Sequence, residues 1–295
     1  MNILKSLINF APVLVAGAFL FSPPAFGKSE PVSLERTGKW VADYDVDSCH
    51  LTAAFGQSDD PTFVMFTRYE PGDALYFEGL GRRFNVGSTS SPVRTDFGPV
   101  KGGQEHTAMS GNRGKLPMIM LGPVDLLDRP RPKDVTVTLP PITAQDEIAA
   151  TYLTVAILGR KPLRLETGSM AAPMRAMRAC MDDLVKHWGL DPLVQARLSR
   201  KAIPFGSPGS WLRSSDYPAG MLSQGGQGIV QFRLDVDETG AISGCHIQQR
   251  TNPDEFADLS CKLVTKRGKF TPALDSNGQP VKSYFVSGVR WIIDN

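Results

Sequence analysis

Met170, Met174, Met177 and Met181 follow one another at spacings of four, three and four residues. On a helix this sets four thioethers in one line with His187 near its end, a soft donor set of the kind that holds copper(I). The same spacing is what a buried helix face requires, and methionine is an adaptable core filler, so packing is the expected role. The other histidines, His50, His106 and His246, have no partner at i, i+4 and none lies at ligand spacing from a cysteine pair, so each is expected as a surface or hydrogen-bonded core residue. Acidic pairs such as Asp59-Asp60 and Asp182-Asp183 are adjacent in sequence, which on a strand or helix puts them on different faces and unsuits them to paired acid-base work. Gly102-Gly103 precedes Gln104, Glu105 and His106 without the strand-to-helix context or the Lys-Ser/Thr of a phosphate loop. There is no Gly-x-Ser-x-Gly, Ser-x-x-Lys, His-Glu-x-x-His or Asp-Thr/Ser-Gly. The expectation is a protein with no catalytic residue, no cofactor and no metal.

The four cysteines, Cys49, Cys180, Cys245 and Cys261, contain no Cys-x-x-Cys and are expected to be structural. Export fits that reading. Lys5 precedes the apolar run Leu7 to Phe21, and Pro23-Pro24-Ala25-Phe26-Gly27 places small residues just before Lys28, the pattern of a secretory signal cut after Gly27. The run falls short of the ~20 residues that span a bilayer and Pro12 interrupts it, so a membrane is a partner only if this segment stays uncleaved as an inner-membrane anchor. An even cysteine count in an exported chain points to disulfides, with three pairings open for four cysteines. The net charge of +2, from 32 basic and 30 acidic residues spread along the chain, offers no basic stripe with interleaved aromatics and excludes nucleic acid as an implied partner. Arg129-Pro130-Arg131-Pro132-Lys133 is expected as an exposed loop.

The elements that would carry these residues divide into two groups. Residues 28–200 read as a mainly-β domain, with strands at Lys39 to Tyr44, Cys49 to Phe55, Thr62 to Tyr69, Ala74 to Glu78, Lys115 to Leu121, Val135 to Leu139, Tyr152 to Leu158 and Pro162 to Thr167 in a sandwich or barrel-like sheet. The methionine helix closes it: Leu184 and Trp188 continue the stripe, Gly189 supplies the stop, and Leu190 to Arg200 reads as a second short helix. The Pro/Gly-rich stretch within residues 201–214 marks a linker. Residues 215–295 read as strand, strand, helix, strand. Val230, Phe232, Leu234 and Val236 alternate with mostly polar residues, Asp237-Glu238-Thr239-Gly240 turns the chain, and Ala241 to Gln249 returns. Asn252, Pro253 and Glu255 form a capped helix start, Phe256, Leu259 and Leu263 give that helix its apolar stripe, and Val281 to Ile293 closes with Phe285, Val289, Trp291 and Ile293 on one face. The fold class is therefore α+β. Cys245 shares the strand face of Ile247, under the helix that carries Cys261, so a Cys245–Cys261 staple is expected; Cys49–Cys180 would then tie the front of the first domain to its last helix.

This order resembles the C-terminal domain of TonB-type energy transducers, and the resemblance runs through Tyr217-Pro218, Gly228-Ile229-Val230, Val236 to Gly240, Phe270-Thr271-Pro272-Ala273, Asn277-Gly278-Gln279-Pro280 and the last strand. It implies a three-stranded antiparallel sheet with one covering helix, and the N-terminal signal makes the periplasm the expected setting. It also implies a partner, a protein or extended peptide such as a segment of an outer-membrane receptor, taken up by strand addition along Val281, Ser283, Phe285, Val286, Gly288 and Arg290. The long Pro-rich spacer of such transducers is missing. A non-enzymatic binding or adapter protein is thus the leading expectation, ahead of an anchored energy transducer of unusual build and of an enzyme housed in residues 28–200.

Overall fold

The computed structural model describes residues 29–88, 90–98, 103–129, 139–251 and 254–293. The expected signal segment at 1–27, most of the expected strand at Val135 to Leu139, most of the Arg129 to Lys133 cluster and the expected helix cap at Asn252-Pro253 lie outside them. Ten strands form the first sheet: β1 (Val32–Glu35), β2 (Val41–Tyr44), β3 (Cys49–Phe55), β4 (Thr62–Arg68), β5 (Leu75–Leu80), β6 (Ser90–Gly98), β7 (Gln104–Arg113), β8 (Leu116–Val124), β9 (Tyr152–Ile157) and β10 (Leu163–Glu166). Their spatial order is β1-β10-β9-β6-β7-β8-β5-β4-β3-β2, antiparallel except for the parallel β1–β10 pair. Beyond β1 the chain bridges back to β3: Arg36 pairs with Phe55, and Thr37 N–H donates to Ala54 O at 2.8 Å. The sheet therefore curls into a half-barrel whose two margins are drawn together.

Strict alternation fills that half-barrel. Along β3, Cys49, Leu51, Ala53 and Phe55 are buried and the residues between them are half-exposed, the period-two signature of a strand with one dry face. Phe66, Phe77, Phe84 and Phe97 add rings with no exposed surface. The helix α2 (Ala171–His187) follows the short α1 (Ala144–Ala149) and lays its stripe on this core, with Met170, Met174, Met177 and Met181 each 1% exposed or less. Gly189 ends α2 with φ +77°, a backbone conformation that only glycine adopts without cost. The Cys49–Cys180 bridge fixes α2 to β3. Three strands, β1, β6 and β7, are additions to the sequence reading. The segments Ser90–Gly98 and Gln104–Arg113 are rich in Ser, Pro, Gly and charge, yet Val93, Thr95 and Phe97 still alternate inward.

After α3 (Pro192–Ala196) and the short β11 (Ile203–Pro204), α4 (Ala219–Ser223) leads into the second sheet. This contains β12 (Gly228–Val236), β13 (Ile242–Arg250) and, after α5 (Glu255–Arg267), the last strand, here numbered β17 (Ser283–Trp291). Between α5 and β17 lie three two-residue strands, β14 (Phe270–Thr271), β15 (Ala273–Leu274) and β16 (Pro280–Val281); β14 pairs with β11 and β15 with β16. The sheet order is β13-β12-β17, all antiparallel. A second core of Val230, Phe232, Leu234, Val236, Phe256, Leu263, Val264 and Trp291 lies between this sheet and α5, and Cys245–Cys261 staples β13 to α5. The last strand ends at Trp291, before Ile293, and Val281 belongs to β16, not to it. Asp254 precedes α5 with no side-chain capping bond; its carboxylate instead takes the Arg250 Nε–H at 2.5 Å. Among the described residues no helix is long and apolar enough to cross a membrane.

Candidate functional site

The direction of every main-chain group on β17 follows from one pair of hydrogen bonds. Ile229 N–H donates to Thr251 Oγ1 at 2.8 Å and Thr251 N–H donates to Ile229 O at 3.0 Å, so Ile229 turns its main chain toward the β13 side. Along a strand this direction alternates, which turns Val230 toward β17, where it pairs with Val289. On β17, Ser283, Phe285, Ser287, Val289 and Trp291 therefore bond inward to β12. Tyr284, Val286, Gly288 and Arg290 present N–H and C=O outward, and among the described residues no further strand pairs with that margin. Of the expected edge residues, Val286, Gly288 and Arg290 carry outward main-chain groups. Ser283 and Phe285 do not, because alternation points them into the sheet, and Val281 is engaged with Ala273.

Grooves border this margin along its whole length. One of 310 Å³ runs beside Ser283 to Val286, opposite Leu198, Lys201 and Ile203. A second of 390 Å³ runs beside Ser287 to Ile292, opposite Trp211, Leu212 and Tyr217. A third of 370 Å³ touches Val286 to Arg290 and is walled on its far side by Tyr76, Met109, Met120 and Pro123 of the half-barrel. Tyr217 was within reach of the sequence through its Tyr-Pro pair. The half-barrel residues were not, since nothing in a linear reading brings Met109 or Met120 to β17.

The polar face of the second sheet, read from sequence as the wetter side of a half-buried strand, is instead an internal interface. Gln231 is 5% exposed, Arg233 3% and Gln248 8%, and bonds across the interface offset part of the cost of that burial. Gln248 Nε2 donates to Asp47 O at 2.9 Å and to Tyr69 O at 2.7 Å. Tyr69 donates its hydroxyl to Gln249 Oε1, and Gln249 Nε2 donates to Glu78 Oε1 at 3.1 Å. The Arg233 guanidinium bonds Asp235 at 2.7 Å, lies 3.6 Å from Asp47 and sits 4.3 Å above the Trp188 ring. Burial pulls its pKa down despite the two carboxylates. Trp188 in turn meets Tyr284 edge-on at 5.1 Å, and burial together with nearby Glu70 pushes the Tyr284 phenol up. These contacts hold the half-barrel against the face adjoining the outward margin.

Three of the histidines and one of the methionines singled out for chemistry have structural partners. His50 bonds Ser48 and Thr67, His106 bonds Thr95, and His246 lies 2.7 Å from Asp235. Met174 Sδ accepts a contact from Arg68 Nη2 at 3.8 Å, and burial brings that guanidinium down to about 10. Asp216 is held at about 2 by the Arg267 guanidinium, which bonds it through both nitrogens, and by the Arg213 N–H. That ion pair anchors the start of the second unit to the end of α5.

No curated protein and no solved structure matches the chain. Residues 213–293, which hold β12, β13, α5 and β17, match the family model described as Gram-negative bacterial TonB protein C-terminal.

Proposed function

We propose that this is a non-enzymatic binding or adapter protein of the periplasm, whose TonB-like module takes an extended segment of a partner protein alongside β17. The observation that carries this reading is the margin itself: four residues with outward N–H and C=O groups, flanked on both faces by grooves. An unpaired strand margin is a template for another strand, and natural proteins usually blunt it with charge, proline or a covering segment. Here Arg290 is the single charged residue of β17. Strand addition would supply affinity through main-chain bonds, with alternate side chains selecting the sequence. The half-barrel serves as the support against which the module is held. The partner class fitting this mode and the family match is a segment of an outer-membrane protein.

The test is a pull-down from envelope extract with the full chain, its Val286→Pro variant and its Arg290→Ala variant. Proline deletes an outward N–H, and a strand margin is where its missing donor disturbs the sheet least. Loss of the captured protein with Val286→Pro, and retention with Arg290→Ala, is the expected pattern, with circular dichroism showing that both variants keep their sheets. A folded Val286→Pro variant that retains its partner at wild-type affinity refutes the proposal.

A further inference from the structure

The faces of β17 say what the half-barrel does for such a partner. Register pairs Arg233 with Val286, Gln231 with Gly288 and Ile229 with Arg290, and cross-strand partners share a face. Val286, Gly288 and Arg290 therefore look toward the half-barrel, as Gln231 and Arg233 do. Phe285, Val289 and Trp291 look toward α5. The residues whose main chain points outward are the same ones whose side chains face the half-barrel. A strand bonded to this margin must then direct the side chains of its directly bonded residues onto that face, into the 370 Å³ groove.

At the centre of the groove β17 carries no side chain. Gly288 is exposed, and a Cβ built on it would come within 2.5 Å of Gln231 Oε1. The Gln231 amide thus occupies the space where a β17 side chain would stand, and a flat ring on an adjoining strand can lie across that amide and the bare glycine. The walls suit a ring, with Tyr76, Met109, Met120 and Pro123 on the half-barrel side. Its floor is polar, formed by Glu78, Gln231 and Gln249. Glu78 is 7% exposed and holds Arg113 at 2.9 Å through one oxygen and Gln249 through the other. An apolar wall over a polar floor matches a side chain with a flat apolar body and a hydrogen-bonding tip.

We infer that the half-barrel is the specificity element of the site: it selects extended segments that place a tyrosine or tryptophan opposite Gly288, with the ring against Met109 and Met120 and its O–H or N–H at the Glu78–Gln249 floor. This inference rests on strand addition at β17. It adds that recognition is shared between two units, one supplying main-chain bonds and the other the side-chain pocket.

A displayed library of short random peptides, selected on the full chain, tests it. The selected peptides share one fixed Tyr or Trp, and replacing that residue by Ala weakens binding roughly tenfold or more. In a Met120→Ala protein the same replacement costs roughly threefold or less, since the wall it needs has gone. The Ala substitution in the peptide leaves the protein's folding untouched, so the effect stays readable whatever Met120→Ala does to stability. Peptides that bind the wild type and fail on Val286→Pro, but share no aromatic position, overturn the half-barrel pocket while leaving strand addition intact. An aromatic preference unchanged by Met120→Ala does the same. Peptides that bind Val286→Pro as well as wild type, or no enrichment at all, overturn both.

Discussion

Opening the Cys245–Cys261 bridge isolates a single energetic contribution, because neither cysteine is fully buried. Both cysteines are half-exposed, so replacing them by serine brings two hydroxyls into contact with water at little desolvation cost. What is lost is the restraint on the unfolded chain. The bridge closes a loop with a sequence separation of 16, and chain-entropy arithmetic for a loop of that size gives about 3 kcal/mol at room temperature. The Cys49–Cys180 bridge spans 131 residues, for which the same relation gives about 5 kcal/mol. Its cysteines are 1% and 2% exposed, so alanine is the fitting replacement there and a packing loss adds to the entropy. Hydrogen exchange read peptide by peptide is the assay, because it reports each sheet separately. The double variant Cys245→Ser/Cys261→Ser should lose about 3 kcal/mol of protection in β12, β13 and α5 while β3, β4 and β5 keep theirs. A loss spread equally over both sheets refutes the reasoning. It would mean that the Gln248, Gln249 and Arg233 contacts weld the two cores into one cooperative unit.

Two further outcomes follow from the core. Met177→Leu should cost less than about 1.5 kcal/mol in denaturant unfolding, as a volume-conserving exchange does; Met174→Leu should cost more than Met177→Leu, because it also strips Arg68 of its sulfur contact. Copper(I) competition is the control, and tight binding by the wild type that vanishes in the double leucine variant would reassign the stripe to metal. Asp128 gives a pH signature. Burial, opposed by the Phe97 N–H and reinforced by Asp96 and Asp125, raises its carboxyl from 3.8 to about 7. The folded chain thus holds a proton that the unfolded chain releases, so this contribution to stability is full below about pH 4 and lost as the pH climbs to 7. Asp128→Asn should flatten that slope in thermal melts, and identical slopes for variant and wild type would dismiss the shift.

The C-terminal unit was legible because its signals are local. Val230, Phe232, Leu234 and Val236 alternate over one long strand, the Asp237 to Gly240 turn fixes the return, and the Phe256, Leu259, Leu263 stripe orients the helix. Together these were enough to pair Cys245 with Cys261. The half-barrel was harder to read. Its β6 has inward residues at the right period, but Pro92, Asp96 and Gly98 interrupt the propensity pattern, and a strand supported on both sides tolerates such residues because its neighbours supply the order. Least legible was the fate of Gln231, Arg233 and Gln248. A polar strand face looks the same in sequence whether water or the carbonyls of Asp47 and Tyr69 satisfy it. The wall of the groove was hidden for a related reason: Tyr76, Met109 and Met120 acquire a role only when a second unit is laid beside them.

The parallel pairing of β1 with β10 has a consequence for the order of assembly. Val32 finds Leu163 and Cys49 finds Cys180 only after most of the first unit has been synthesised, so the earliest strand and the earliest thiol wait longest for their partners. Contacts of such long sequence separation close slowly. During that wait Cys49 is the lone thiol, and the next to emerge is its correct partner; Cys245 and Cys261 follow later, separated by a short loop that closes quickly. Emergence from the N-terminus into an oxidising compartment would therefore present the four thiols in an order that favours the native set. Refolding the reduced full-length chain from denaturant, where all four are present at once, removes that advantage and should yield mispaired species that synthesis in order avoids.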